Sequence, residues 1–268
     1  MPNIMINDCN LFYEEHGTGQ HSVLFLHGLY FNCRQFHQQF VALRDRYRCV
    51  AVDLRGQGQS SAPPRDYDPE SIARDVIQFI DVRRYGECHI VGHSIGGIVA
   101  MHIAMQRPEL VKSLVLIGTT AGESPVTNKR KLKRHALRIK LFGMRFVIPT
   151  IMRTLFSPDY LADAVHAEQI AHWEKEFARI NRHHIARVLA GLLARGPLYD
   201  DLYKIQKPTL IIAGEQDQAT SRHATHRLNN GIAGAHLVMV PDAGHAVNLE
   251  KPAVVNKVLL EFFTRIKS

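Results

Sequence analysis

The sequence predicts an α/β fold: a mostly parallel sheet of eight strands with helices on both faces and a helical segment inserted late in the chain. Three observations support this fold class. Short apolar runs of strand length alternate with helical patterns, which is typical of a parallel sheet covered on both sides. The first two runs instead flank Asn7-Asp8, a polar pair that suits a hairpin turn. Residues 122 to about 200 contain helical patterns only.

The individual elements follow from apolar runs and helical spacing. One helix is predicted to begin after Asp68, because Asp can cap a helix, Pro69 suits the first position and Glu70 favours the positive end of the helix dipole. Its apolar face consists of Ile72, Val76, Phe79 and Ile80. Strands are predicted at residues 4–6, 11–15, 23–26, 49–52, 89–91, 114–117, 210–212 and 237–240, and further helices at 34–43 and 95–105.

These elements predict one α/β core, residues 1–121 and 201–268, interrupted by a helical cap at 122–200. A chain of 268 residues can bury such a core without disulfides. Its four cysteines lack C-x-x-C and zinc-finger spacing, so we expect ordinary thiols in a reducing compartment. The sequence shows no apolar leader and no stretch near the ~18 apolar residues of a membrane span, which predicts a cytoplasmic protein without a transmembrane segment.

The net charge of +8 is concentrated in the predicted cap. Of 33 Lys and Arg and 25 Asp and Glu, residues 124–200 contain 14 and 6, which leaves 19 of each in the rest of the chain. The run 128–142 is expected to form a basic helix with a solvated face, or to contact an acidic partner or an anionic membrane surface. Nucleic acid is not expected, because no stacking aromatics are interleaved with the basic residues. The apolar positions of this helix are Leu132, Ala136, Ile139 and Phe142.

A candidate nucleophile lies between a predicted strand and a predicted helix, where residues 92–96 read Gly-His-Ser-Ile-Gly. In that context G-x-S-x-G is typical of a nucleophile elbow, a sharp turn that projects the serine hydroxyl at the carboxyl end of the sheet. The flanking glycines avoid side chains that would collide with the neighbouring strand and helix. We therefore predict that Ser94 is the nucleophile. The alternative is that Ser94 is only a small residue that fits a tight turn.

Two backbone N–H groups are candidate donors to an oxyanion. The Ile95 N–H lies in the first turn of the helix after Ser94, where donors are unpaired and the dipole is positive. The Leu29 N–H follows the predicted strand 23–26 in the segment His-Gly-Leu. Both loops are expected at the carboxyl edge of the sheet, where open α/β sheets bind ligands.

A serine hydroxyl needs a base, and the base needs a group that fixes its tautomer. Asp217 follows the strand 210–212 and His245 follows the strand 237–240, so both are predicted at the same edge as Ser94. Glu123, after the strand 114–117, is a rival for the acid. The other histidines are interpreted as surface or core residues, with His27 and His93 bracing their turns by hydrogen bonds.

The motifs resemble those of the α/β-hydrolase superfamily over nearly the whole chain. They are Leu-His-Gly at 26–28, Asp-Leu-Arg-Gly-Gln-Gly-Gln-Ser at 53–60, Gly-His-Ser-Ile-Gly-Gly at 92–97, Gly-Glu-Gln-Asp at 214–217 and Gly-His at 244–245. The resemblance implies the α/β-hydrolase fold, the chain order Ser, Asp, His and a helical lid after the sixth strand. It also implies that Asp53 and Arg55 hold a loop. Haloalkane dehalogenases and epoxide hydrolases of this superfamily carry aspartate at the position of Ser94, which removes their alkyl-enzyme step here.

Together these residues predict a serine hydrolase that cleaves small carboxylic esters or lactones through an acyl-enzyme, with no cofactor and no metal. The apolar segment 142–156 suits an acyl or aryl pocket as well as it suits packing of the cap. Alternatives remain: a carrier-bound or lipid ester hydrolase that uses the basic cap, a perhydrolase, or a ligand-binding protein without catalysis. A C–C bond hydrolase is a further alternative, although Ala246 follows His245 where such relatives often have Trp.

Overall fold

In the computed structural model, which describes residues 2–122 and 126–266 except the side chains of 126–128 and 131, eight strands form one sheet. The strands are β1 Asn3–Ile6, β2 Cys9–His16, β3 Ser22–Leu26, β4 Arg48–Val52, β5 Cys88–His93, β6 Val111–Ile117, β7 Thr209–Gly214 and β8 His236–Val240. Their order in the sheet is β1-β2-β4-β3-β5-β6-β7-β8. The fold class predicted from the sequence is confirmed.

The sheet begins antiparallel and continues parallel. β1 pairs antiparallel with β2 and β2 with β4, whereas every later pairing is parallel. The hairpin between β1 and β2 turns at Asn7, whose φ of 52° lies in the left-handed region that Asn tolerates better than most residues. The carboxyl ends of the parallel strands therefore meet along one edge.

Helices cover both faces because side chains alternate along each central strand. In β3, Val23 and Phe25 pack with Phe36, Phe40 and neighbouring side chains in one apolar cluster. Leu24 and Leu26 point to the other face and its separate cluster. The helices of the core are α1 His37–Leu43, α2 Pro69–Arg83, α3 Ile95–Gln106, α9 Arg222–Gly231, α10 Val247–Glu250 and α11 Pro252–Arg265.

The start of α2 agrees with its sequence signals. The Asp68 side chain accepts a hydrogen bond from the Ser71 N–H at 2.9 Å, Pro69 is the first helical residue, and the four predicted apolar side chains are at most 1% exposed. The helix predicted at 34–43 differs from the observed one, because a 3-10 turn over Cys33–Phe36 precedes α1. The Asp53 Oδ1 atom accepts the Cys33 N–H at 2.7 Å, a tertiary bond that holds this turn to the strand end behind it.

Between β6 and β7 the described chain is helical, with α4 Val126–Phe142, α5 Met144–Leu155, α6 Pro158–Ala162, α7 Ala167–Arg179 and α8 Arg182–Ala194. These helices pack on the core through aromatic side chains: the Phe31 ring centroid lies 4.9 Å from that of Trp173 and 5.4 Å from that of Phe177. The division of the chain into a core and a cap at 122–200 stays a prediction. No helix in the described ranges is long and apolar enough to cross a bilayer.

Two apolar positions of α4 differ in exposure. Ile139 is buried, whereas Phe142, at the same helical spacing, is 62% exposed. Phe142 is the last residue of α4, and Gly143, at a φ of 79°, redirects the chain so that α5 turns Met144 and Val147 inward. The Phe142 ring instead contacts that of Phe146 on the outside, with centroids 4.9 Å apart.

Candidate active site

Ser94 lies in a strained turn between β5 and α3. Its φ of 52° and ψ of −115° fall outside the regions that non-glycine residues ordinarily adopt. The turn is tight enough to require glycine beside it, because a Cβ at Gly96 would lie 2.1 Å from the Leu26 carbonyl oxygen and one at Gly92 would lie 2.3 Å from the Gly96 carbonyl oxygen. This is the geometry of a nucleophile elbow.

The two candidate oxyanion donors flank this turn from different elements. Ile95 is the first residue of α3. Leu29 lies in a turn closed by the Phe31 N–H and the Gly28 carbonyl at 3.2 Å, and Tyr30, the third residue of that turn, has a φ of 73°. Among the described residues, neither the Leu29 nor the Ile95 N–H has a protein acceptor, so both can donate to a ligand.

Asp217 and His245 meet at the end of the sheet. The His245 Nδ1 atom lies 2.8 Å from Asp217 Oδ2, and each side chain is 3% exposed. The second carboxylate oxygen of Asp217 accepts the backbone N–H groups of Ala219 and Thr220 at 2.7 and 2.8 Å. Because a carboxylate only accepts hydrogen bonds, the proton of neutral His245 is on Nδ1, and Nε2 carries a free lone pair.

Ser94 and His245 line the same cavity of about 690 Å³, together with Leu29 and Ile95. Four of the five predicted site residues therefore line one cavity. The fifth, Asp217, contacts the Nδ1 atom of His245. The apolar part of its wall comes from Ile98, Leu132, Ile151, Leu155 and Leu192.

A buried hydrogen-bond network joins the loops on either side of Ser94. The His93 Nε2 atom donates to the His245 carbonyl at 3.0 Å, so His93 Nδ1 is an acceptor, and Gln35 Nε2 donates to it at 2.8 Å. Gln35 Oε1 in turn accepts the Gly28 N–H at 3.0 Å. Burial, followed by the charge of His245, holds the pKa of His93 well below its ordinary value, so the ring stays neutral.

His27 braces the turn that holds Leu29. Its Nε2 accepts the Leu54 N–H at 2.9 Å, and its Nδ1 donates to the Gly28 carbonyl at 2.8 Å. The bracing roles predicted for His27 and His93 are thus confirmed. Gln35 was missed, because nothing in the sequence separates it from neighbouring polar residues of the same turn.

Asp53 and Arg55 hold the loop after β4, as the resemblance implied. The two Asp53 oxygens accept the N–H groups of Cys33 and Gln59, each at 2.7 Å. Arg55, 3% exposed, pairs with Asp75 at 2.7 Å and with Asp8 at 2.7 Å.

Glu250 is a second residue that the sequence did not signal. Its carboxylate accepts the Ser157 hydroxyl at 2.6 Å and the Gly244 N–H at 3.0 Å, which ties the residue before His245 to the start of α6. Burial raises the pKa of Glu250 above its ordinary value.

Three histidines interpreted from the sequence as surface or core residues lie on other elements. His223 and His226 are on α9 and His236 begins β8. The rival acid Glu123 lies outside the described residues. No cluster of three or more His, Cys, Asp or Glu side chains suited to a metal ion occurs in the described part of the chain.

The fold agrees with comparisons to known proteins. Residues 23–258 match the model of the Alpha/beta hydrolase family, and the chain belongs to that family. It is similar to the putative carbamate hydrolase RutD of Variovorax paradoxus, with 30% identity over 96% of this chain and 97% of that protein.

Two solved structures resemble it closely. The enol-lactonase of Burkholderia xenovorans has a TM-score of 0.92 at 23% identity and covers 98% of this chain and 100% of its own. A thermophilic esterase of Thermogutta terrifontis has a TM-score of 0.91 at 25% identity, over 100% and 99% of the two chains. The protein is therefore a hydrolase of the α/β-hydrolase fold.

Proposed function

We propose that the protein is a serine hydrolase that cleaves carboxylic esters or lactones of small molecules, with Ser94 as nucleophile, His245 as base and Asp217 as its orienting acid. One observation carries the proposal. The buried contact of 2.8 Å between Asp217 and His245 lies against the cavity that also contains Ser94 in its strained turn.

The reaction would proceed by two acyl transfers. Ser94 Oγ attacks the carbonyl while His245 Nε2 takes its proton, and the N–H groups of Leu29 and Ile95 stabilise the oxyanion. The intermediate collapses as His245 returns the proton to the leaving alcohol. Water, activated by the same imidazole, then releases the acid and frees Ser94. No step of this scheme requires a cofactor.

The names of similar proteins suggest a further type of bond that the protein could hydrolyse. A carbamate hydrolase is among the relatives, an esterase is among the structural neighbours, and the lactonase, at 23% identity, supports the fold alone. A carbamate has a carbonyl open to the same attack, so it is the second candidate substrate class after esters and lactones.

The helices between β6 and β7 would serve as a cap over the site. The Ala246 N–H, next to His245, donates to the Leu155 carbonyl at the end of α5 at 2.8 Å, which ties the cap to the loop of the base. Burial also keeps the four cysteines from ionising, since it raises the pKa of both Cys49 and Cys88 to about 12. Four buried free thiols fit the proposed cytoplasmic location.

We further propose that the outer surface of the cap binds an anionic lipid surface. Four apolar side chains are more than half exposed there, beside Lys133 and Lys140. Exposed apolar groups flanked by cations are the combination that favours anionic membranes. The apolar residues are Leu137 at 54%, Leu141 at 59%, Phe142 at 62% and Phe146 at 60% exposure.

The catalytic proposal is tested with Ser94→Ala. We expect the variant to fold but to lose turnover of nitrophenyl esters, lactones and carbamates by about 10⁴- to 10⁶-fold, because the residual rate comes from binding and the oxyanion donors alone. Labelling by a fluorophosphonate should disappear with it. Unfolding of the variant in urea, measured in parallel, provides the control for folding. Labelling or turnover that persists in the variant would remove Ser94 from the role.

A further inference from the structure

Arginines gather at the cavity that contains Ser94. Arg134 and Arg138 of α4, Arg153 of α5 and Arg195 after α8 all line it. No Asp or Glu side chain lines it among the residues that the structure describes.

The position of these arginines indicates the mouth of the cavity. Arg134, Arg138 and Arg153 are exposed although they line it, whereas Ser94 is half-buried and Ile95 is buried. Arg134 and Arg138 are four residues apart, so they share one side of α4. Thr150 and Thr154, which flank Arg153, line the same wall, and the Thr154 hydroxyl donates to the Thr150 carbonyl at 2.9 Å.

Among the described residues, three arginines of this wall lack the carboxylate partner that several other arginines have. Arg55, Arg83 and Arg107 each form an ion pair with a carboxylate. In the described part of the chain, Arg134, Arg138 and Arg153 form no ion pair with a protein carboxylate. Like charges held around one opening raise its positive potential and concentrate anions there.

Two other groups in the described part of this wall are His135 and Arg195. Burial, followed by the charge of Arg138, lowers the pKa of His135, so this histidine is neutral near pH 7. Arg195 donates to the Gly122 carbonyl at 2.8 Å, which holds its side chain beside the cavity. The described residues of the mouth are therefore cationic, and Ile95, Ile98 and Leu155 add apolar surface to the same cavity.

We propose that the substrate of this site is an anionic ester or lactone whose carboxylate is bound by Arg134, Arg138 and Arg153 while its scissile carbonyl lies at Ser94. This inference rests on the proposed function, and it adds the class of substrate. Guanidinium groups suit a carboxylate because their planar N–H pairs match its two oxygens. The apolar wall between the two ends accommodates the carbon chain that joins them.

The test compares esters that differ in charge alone or nearly so. 4-Nitrophenyl hydrogen adipate and 4-nitrophenyl hexanoate place the difference on the acyl part. 4-Acetoxybenzoate and 4-acetoxybenzamide place it on the alcohol part. We expect kcat/KM of the anionic member to exceed that of the neutral one by about tenfold or more in at least one pair, mainly through KM, and the ratio to fall at high salt.

Variants link that preference to the arginines. Arg138→Gln combined with Arg153→Gln should bring the ratio of anionic to neutral kcat/KM close to one. Arg182→Gln removes one charge from an exposed position that does not line the cavity, and it should leave the ratio unchanged. A ratio near one in both pairs for the unaltered protein would overturn the inference. A ratio in the Arg138→Gln and Arg153→Gln double variant that equals the ratio in the unaltered protein would also overturn it.

Failure of this inference is distinguishable from failure of the proposed function. If Ser94→Ala abolishes cleavage of all four esters but the charge preference is absent, only the substrate class is wrong. If the Ser94→Ala protein cleaves the esters as fast as the unaltered protein, the catalytic proposal falls first and this inference falls with it.

Discussion

The two histidines nearest Ser94 differ in what each ring nitrogen can do. His93 uses both nitrogens inside the protein, donating to the His245 carbonyl and accepting from Gln35. His245 uses only Nδ1, against Asp217, and lines the cavity. One imidazole is thus committed to holding loops, and the other retains a lone pair that can accept a proton.

Gln35 is the residue on which both sides of that network depend. Replacing Gln35 with Met keeps its approximate volume but leaves the Gly28 N–H and His93 Nδ1 unpaired, at a cost of about 1–3 kcal/mol for a buried polar group. Because Gly28 precedes the Leu29 N–H, we expect kcat on a neutral ester to fall about tenfold while KM changes little.

Steady-state kinetics and urea unfolding on the same samples separate positioning from loss of stability. Gln38→Met, a change of the same type at an exposed position of α1, is the matched control and should alter neither. A Gln35→Met protein that is less stable but keeps its kcat would assign Gln35 a purely structural role.

At the level of elements, α2 joins three separate parts of the chain. Asp75 is 1% exposed and binds Arg55 through both carboxylate oxygens, at 2.7 and 2.9 Å. The Asn7 side chain of the β1–β2 hairpin donates to the same carboxylate at 2.8 Å. The antiparallel start of the sheet, the loop after β4 and the helix therefore share one buried ion pair.

Removal of one partner from that pair should be costly. Asp75→Asn leaves the Arg55 charge without its buried counter-ion, and we expect a loss of about 3–5 kcal/mol in the free energy of unfolding, measured in urea. Asp81→Asn, on the same helix, interrupts the solvent-exposed pair with Arg107 and should change stability little. Similar losses for the two variants would show that burial does not govern this pair.

Across the whole molecule, positive charge and exposed apolar area coincide on the helices between β6 and β7. If that surface binds anionic lipid, the protein should co-sediment with vesicles that contain phosphatidylglycerol and not with vesicles of phosphatidylcholine alone. Phe142→Ser combined with Phe146→Ser should lose most of the bound fraction, because the two exposed rings supply the apolar contact.

The matched control for the vesicle experiment is Tyr203→Ser. Tyr203 is 67% exposed but lies outside α4 and α5, so its replacement should leave co-sedimentation unchanged. Binding that persists in the Phe142 and Phe146 variant, or that favours an acidic protein over vesicles, would contradict the lipid proposal.

The sequence by itself determined the eight strands, the start of α2 and the strand-to-helix context of Ser94. These features follow from local signals, since alternating apolar residues, a capping Asp before Pro69 and glycines around a serine constrain the backbone wherever the rest of the chain lies. The order of loops also sufficed to predict Ser94, Asp217 and His245 at one edge, because the carboxyl ends of parallel strands must meet there.

Only the tertiary structure decided which polar side chains share an environment. Gln35 and Glu250 acquire partners from segments far away in the chain. The arginines of the cavity mouth come together from α4, α5 and the segment after α8, and no local pattern encodes such a meeting. Ile139 and Phe142 share the helical spacing of α4, yet Ile139 is buried and the turn at Gly143 leaves the Phe142 ring in solvent. Periodicity fixes which side of a helix a residue occupies, but only packing decides whether that side is covered.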